Sequence, residues 1–316
     1  MRPLRLLGAL TIALFGATDL TAHSAPVERP VIAQLGINLP TMGIVYWAAG
    51  RNWRWTVANY FSPAVMSEIK NTLHADYVRT GFIPDWVHRE RPEWQREDRV
   101  MDDACRAGLG VMVIVPTGSD KLGAEDLAVT VGAFFMRYTA REKNCKLVAE
   151  IGNEDNLRLS PQAYSSIFQS VAPEVRKLGV PVIASGTSEL DVRWIKAVAA
   201  LIAPALPDGY GFHPYDVPPG RMQTDIATMS SATAARDASR IYITEYGSGE
   251  ADTLSSAILT LDTQPAVTVY EYRCQPSDET CRYGLKDNPA LFDAVARAFT
   301  TVRDHRSVAR ASDGAL

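Results

Sequence analysis

Two glutamates close two of the strongest apolar runs in the chain: Glu154 follows Leu147–Ile151 through Gly152 and Asn153, and Glu245 ends the run Arg240–Glu245. A pair of carboxylates is the minimal equipment for cleaving a glycosidic bond. One must be protonated, to give the leaving oxygen its proton. The other must be ionised, to attack the anomeric carbon or to activate water. Either glutamate alone reads as a solvated rim charge or a salt-bridge partner; two of them at separate strand ends favour chemistry. Other polar and aromatic groups end apolar runs in the same way: Arg79-Thr80-Gly81-Phe82, Phe212-His213-Pro214-Tyr215 and Tyr270-Glu271-Tyr272-Arg273.

The elements that must position these groups repeat along the chain. Eight short apolar runs, Gln34–Leu39, Tyr77–Phe82, Gly110–Val115, Leu147–Ile151, Val180–Ser185, Gly209–His213, Arg240–Glu245 and Ala266–Tyr272, read as strands. Between and after them, Ala64–Leu73, Ala124–Arg141, Pro161–Leu178, Asp191–Ala205, Thr253–Leu261 and Pro289–Arg303 carry apolar residues at helical spacing. Strands that alternate with helices imply parallel pairing and right-handed crossovers. Eight such units match an α/β fold of the single-domain (β/α)8 TIM-barrel type, whose usual length is about 250 residues. The rival doubly wound sheet advertises a glycine-rich turn after its first strand. Here that turn reads Gly36-Ile37-Asn38-Leu39-Pro40-Thr41. In a barrel the active site lies at the C-terminal strand ends, and strands four and seven then face each other across the mouth.

With the motifs in that order, the chain resembles the clan A retaining glycoside hydrolases, in flavour closest to family 39 and family 79. Glu150-Ile151-Gly152-Asn153-Glu154 is similar to the clan's ExxNE signature, and Ile243-Thr244-Glu245-Tyr246-Gly247 to its nucleophile strand. Arg79, His213-Pro214-Tyr215 and Tyr283-Gly284-Leu285…Pro289 also match its pattern. The resemblance implies that Glu154 is the general acid/base and Glu245 the nucleophile. It implies that Asn153 binds the sugar 2-hydroxyl, that Arg79 keeps Glu245 ionised, that Tyr215 donates towards Glu245 and that His213 lines the subsite wall. Two positions depart from the pattern: Gly152 stands where Trp is frequent, and Asp155 where Pro is common. Asp155 would either raise the pKa of Glu154 by pointing inward or cap the following helix or loop.

Each supporting residue also has a plainer reading. Arg79 could instead be a structural partner of Glu150, a carboxylate deeper on the same face as Glu154 that needs a partner if buried. His213 reads also as a hydrogen-bonded wall residue without chemistry, and Glu271 as either a subsite residue or a rim charge. Tyr46, Trp47, Trp53, Trp55, Tyr60 and Phe61 crowd the first connection, and about half of them would simply pack. Trp86 is the expected sugar platform, because an aromatic face stacks on the C–H face of a sugar.

Residues 1–24 read as a secretory signal peptide: Arg2 and Arg5 precede the apolar stretch Leu6–Ala17, and Ala22-His23-Ser24 offers small residues for cleavage. The stretch is shorter than the ~20 residues of a spanning helix. Residues 25–306 form the expected catalytic domain and 307–316 a flexible tail. The product would be a secreted or periplasmic monomer without a membrane span once the signal is removed. Export makes disulfides Cys105–Cys145 and Cys274–Cys281 the expected pairing, with zinc binding or four free thiols as alternatives.

Composition excludes several classes. The net charge of −4, with no long basic run, argues against nucleic acid as partner. His74, His88, His213 and His305 form no HxH or HExxH, and no GxSxG occurs, so neither a metal, a cofactor nor a serine nucleophile is expected. What remains is a retaining hydrolase acting on a polysaccharide or oligosaccharide. The alternative is a non-catalytic glycan-binding or polysaccharide-assembly protein on the same barrel.

Overall fold

The apolar runs are buried on both faces, as parallel strands covered by helices must be. In the computed structural model, which describes residues 35–87, 94–118, 122–203, 207–233, 240–276 and 281–313, they close into an eight-stranded parallel barrel. The strands are β1 (Leu35–Asn38), β2 (Tyr77–Gly81), β3 (Gly110–Val115), β4 (Leu147–Ile151), β5 (Val182–Ser188), β6 (Gly209–His213), β7 (Ile241–Tyr246) and β8 (Val267–Val269). Each pairs with its sequence neighbour, and β1 pairs with β8. This is the expected (β/α)8 fold. The chain from Val31 onward forms one compact unit. The expected leader, residues 1–24, lies outside the described residues.

Alternation within the strands divides the core in two. Outward residues such as Val78, Val113, Ala149 and Ile243 pack against the helices, among them Leu127, Val131, Phe134 and Phe135 of the helix Ala124–Arg141. Inward residues Tyr77, Met112, Val148, Ile183, Tyr242 and Ala266 form a separate floor inside the barrel. Glycine makes room for two of its rings: a Cβ at Gly36 would lie 2.3 Å from the Tyr77 ring, and one at Gly209 would lie 2.2 Å from that of Tyr242.

Two irregularities sit above this floor. Between the pairs Ile243↔Val267 and Tyr246↔Val269 the β7 strand holds one more residue than β8. Between Ala184↔Tyr210 and Thr187↔Phe212, β5 likewise holds one more than β6. An extra residue breaks the strict in–out alternation and re-aims a side chain or an amide. Ile243 and Tyr246 both belong to the outer core, so the bulge frees Glu245 to join Thr244 on the inside.

Several elements differ from the sequence expectation. Helices Trp94–Arg106 and Pro219–Thr233 were not expected, because their apolar residues are few and sit on narrow stripes, Val100-Met101-Ala104 and Met222-Ile226-Met229. Strand β8 stops at Val269 rather than Tyr272. The chain there leaves the ladder to pair with the next loop, Leu285 N donating to Glu271 O at 3.0 Å. The final helix continues from Pro289 to Asp313, past the expected end at Arg303.

Both expected disulfides form, and the described residues include no free cysteine. Cys105–Cys145 ties the end of the helix before β3 to the turn before β4, closing 40 residues of chain. Loop-closure entropy makes such a link worth about 3–4 kcal/mol. Among the described residues no helix is long and apolar enough to cross a membrane.

Candidate active site

Arg79 organises the mouth of the barrel. It projects inward from β2 and is completely buried. Its guanidinium reaches four acceptors: Nε donates to Glu150 Oε2 at 2.5 Å, Nη1 to Asn38 Oδ1 at 2.9 Å and to Glu245 Oε1, and Nη2 to Asn153 Oδ1 at 2.7 Å. The two roles weighed for Arg79 are therefore both filled, and by the same side chain. Glu150 is buried as expected, and the β5 bulge turns the Gly186 amide inward to its Oε1 at 3.2 Å. Gly186 also holds Glu154, whose amide donates to its carbonyl at 2.8 Å.

Glu154 and Glu245 meet across the mouth. His213 stands between them, its Nδ1 3.1 Å from Glu154 Oε1 and 3.7 Å from Glu245 Oε2, while its Nε2 lies 3.0 Å from Thr244 Oγ1. One oxygen of each carboxylate and a ring nitrogen of His213 all fall within 4.8 Å of one another. Such a trio has the donor types of a cation site. However, Arg79 and Tyr215 already occupy the two oxygens of Glu245. The two glutamates differ in setting: the Glu245 side chain is 8% exposed, that of Glu154 28%.

Electrostatics separate them further. Burial pushes the Glu245 carboxyl up. The charge of His213 and of Arg79, with hydrogen bonds from Tyr215 and Arg79, outweighs burial and holds it below the usual carboxylate value. Burial also pushes the Tyr215 phenol well up, so at neutral pH it keeps its proton and donates to Glu245 Oε2. Replacing Tyr215 by Phe removes that donor. A hydrogen bond to a charged group is worth about 1.5–3 kcal/mol, so kcat/KM is expected to fall roughly 10- to 100-fold. With less holding its pKa down, Glu245 protonates at higher pH, and the acid limb of the kcat/KM profile moves up. A pH–rate series on Tyr215→Phe checks both.

Asp155 does not cap the helix that follows. The helix Pro161–Arg176 is capped by Ser160, whose Oγ accepts from the Ala163 amide at 3.2 Å. Asp155 is instead buried beneath the turn that carries Glu154. Its Oδ1 accepts from Thr117 Oγ1 and from Arg158 Nη2, each at 2.6 Å. Glu271 is not a rim charge: it is buried near Tyr60. Tyr272, left open from sequence, is buried and donates to Glu68.

Three site residues carried no assigned role from sequence, although Tyr270 and Tyr283 lay in stretches noted there. Asn38 ends β1 and accepts from Arg79. Tyr270 and Tyr283 form an aromatic cluster with Tyr215, with ring centroids 5.5 and 5.6 Å from it. Tyr283 lies two residues beyond Cys281 of the Cys274–Cys281 disulfide and donates to Asp216 Oδ2 at 2.7 Å. Strand-end position was the available signal for Asn38 and Tyr270. Trp86 lies in the short helix Pro84–Val87 that follows β2, and its side chain lies outside the described residues. In the first connection Tyr60 and Phe61 are core residues, whereas Trp47 and Trp55 remain exposed.

No protein-family model matches the sequence, and no curated protein matches it. Solved structures do share its fold. An endo-β-1,4-glucanase from Xanthomonas axonopodis pv. citri has a TM-score of 0.61 at 13% identity, over 86% of this chain and 99% of that one. A GH30 endoxylanase from Clostridium papyrosolvens C71 has a TM-score of 0.55 at 14% identity, over 85% and 70%. A family 51 α-L-arabinofuranosidase from Bifidobacterium longum has a TM-score of 0.56 at 15% identity, over 84% and 73%. At these identities the likeness is one of fold.

Proposed function

We propose that the chain is a retaining glycoside hydrolase of the clan A type, exported to act on a polysaccharide or oligosaccharide. The observation that carries this reading is the pair Glu154–Glu245, with oxygens within 4.8 Å at the mouth of the barrel. Retaining enzymes hold their two carboxyl groups about 5–5.5 Å apart, whereas inverting ones leave about 6.5–9.5 Å for a water. The short gap supports direct attack by one carboxylate.

Glu245 is the nucleophile in this reading: it is buried, held ionised, and fixed by Arg79 and Tyr215. Its oxygen bonds to the anomeric carbon as the glycosidic C–O bond breaks, and Glu154 gives its proton to the departing oxygen. Glu154 then takes a proton from water, which attacks the same carbon and releases Glu245. Asn153, its Oδ1 fixed by Arg79, is left with an amide N–H2 to offer the sugar 2-hydroxyl. Tyr270 and Tyr283 beside Tyr215 supply aromatic faces for the sugar ring. Two disulfides fit a secreted or periplasmic location. The placement is made at the level of the clan, since the similar structures named above belong to neither family 39 nor family 79.

The test is a screen of the exported protein against β-glucans, xylans, arabinans and bacterial exopolysaccharides, read by product mass. A 2-deoxy-2-fluoro glycoside of the cleaved sugar is expected to leave a mass adduct on Glu245. Glycan binding with neither products nor adduct would overturn the reading in favour of a binding or assembly protein.

A further inference from the structure

The turn that presents Glu154 is unusual in its backbone. Gly152 has φ +94° and Glu154 φ +53°, both in the left-handed region that a side chain disfavours. Something must hold Glu154 there, and the contacts converge on Asp155.

Asp155 links three strand ends, through its side chain and its backbone amide. Thr117, from the loop after β3, donates to its Oδ1 at 2.6 Å. The Asp155 amide donates to Ser185 Oγ of β5 at 3.3 Å. The same floor is closed by Tyr164, which donates to Ile151 O of β4 and accepts from the Ser185 amide, each at 2.8 Å. From outside, the exposed Arg158 caps Oδ1 at 2.6 Å and reaches Asn153 O at 3.4 Å. The other oxygen, Oδ2, is buried without a hydrogen-bond partner among the described residues. It lies against Gly152, where a Cβ would come within 1.8 Å of it and within 2.9 Å of Ser185 Cβ.

Gly152 and Asp155 are the two positions at which the chain departs from the pattern it resembles. The structure makes them one feature, because the Asp155 carboxylate fills the space that a side chain at 152 would need. We propose that Asp155 is the positioning residue for Glu154: its carboxylate ties the turn after β4 to Thr117 at the end of β3, beside the amide bond to Ser185 of β5, and so fixes the left-handed turn that aims the acid/base at the leaving oxygen. The inference rests on the hydrolase reading for the role of Glu154, and on the contacts alone for the clamp.

A clamp on the acid/base has a selective signature. A leaving group as good as 2,4-dinitrophenolate departs without a proton, so its glycoside needs Glu245 but not a well-aimed Glu154. A misplaced catalytic group costs up to about 100-fold. In Asp155→Ala, kcat/KM on the glycan found in the screen is expected to fall 10- to 100-fold. On the 2,4-dinitrophenyl glycoside of the same sugar it is expected to stay within threefold. Asp155→Asn keeps the shape and an acceptor for Thr117, and is expected to recover most of the loss. Thr117→Val, which buries no new charge, should show the same selectivity at 3- to 10-fold. Equal losses on both substrates, or no loss on the glycan, would overturn the proposal.

Amide hydrogen exchange on the full chain tests the clamp without substrate. Asp155→Ala is expected to speed exchange at residues 152–158 and leave the barrel strands unchanged; an unchanged turn overturns the proposal. If the wild-type protein cleaves no glycan, the hydrolase reading fails by itself, and exchange still decides whether Asp155 holds the turn.

Discussion

Glu245→Gln is expected to lower kcat/KM by about 10³- to 10⁵-fold, the scale on which removal of a covalent nucleophile acts. The fluoro-glycoside adduct at this position should vanish with it. The variant is expected to fold. Arg79 faces two buried carboxylates, Glu150 and Glu245, so removing one negative charge leaves a matched Arg79–Glu150 pair. The glutamine carbonyl oxygen can still accept from Arg79, and its N–H2 can donate to the Tyr215 hydroxyl, which accepts in place of donating. Thermal unfolding within a few degrees of wild type, together with lost turnover, is the expected combination. Wild-type turnover in a folded Glu245→Gln protein would remove the nucleophile from the site.

Arg79→Met should do the opposite: its largest effect is on the fold. It leaves Glu150 and Glu245 buried with no guanidinium, and Asn38 and Asn153 without their donor. Breaking a buried pair from one side costs about 3–5 kcal/mol. At about 2–4 °C per kcal/mol for a chain of this order of size, the melting temperature should fall by roughly 10 °C. The Glu245 carboxyl also loses one of the charges that hold its pKa down, so the acid limb of any residual activity moves to higher pH. Arg79→Lys keeps the charge but not the planar fork, and a single ammonium does not serve four acceptors spread around a guanidinium. A double variant, Arg79→Met with Glu150→Gln, relieves one buried charge. It is expected to regain stability without regaining activity, which calorimetry and a rate assay separate.

The parts of this site that were legible in the sequence are those encoded by local order. An apolar run followed by a polar residue marks a strand end, and this located Arg79, Asn153, Glu154, His213, Tyr215 and Glu245 before any coordinates. The cysteine pairing followed from the expected export of the chain, which favours disulfides over free thiols. The β5 and β7 bulges were not legible, because one extra residue in a ladder has no signature in the strand that carries it. Strict alternation would put Thr244 and Glu245 on opposite faces, and only the register with β8 shows otherwise. The dual pairing of Arg79 was hidden for a related reason: a pairwise question, Glu150 or Glu245, does not anticipate a four-acceptor hub. Asp155 was misjudged because its partner Thr117 lies 38 positions away, beyond the reach of capping patterns.

The unequal anchoring of the two glutamates bears on how this scaffold can change over generations. Glu245 is bound into the buried core through Arg79, so substitutions there that do not keep its shape and an acceptor, as Gln does, leave Arg79 and its neighbours short of a partner. Glu154 hangs on a turn at the rim, where among the described residues its ion-pair partner is His213. A lineage drifting from turnover towards simple glycan recognition can therefore discard Glu154 early and with little damage, while Glu245 persists as a relic of the chemistry. In descendants of this chain, a retained strand-seven glutamate says that the barrel is intact. If the hydrolase reading holds, only the glutamate on the strand-four turn says that it still cuts.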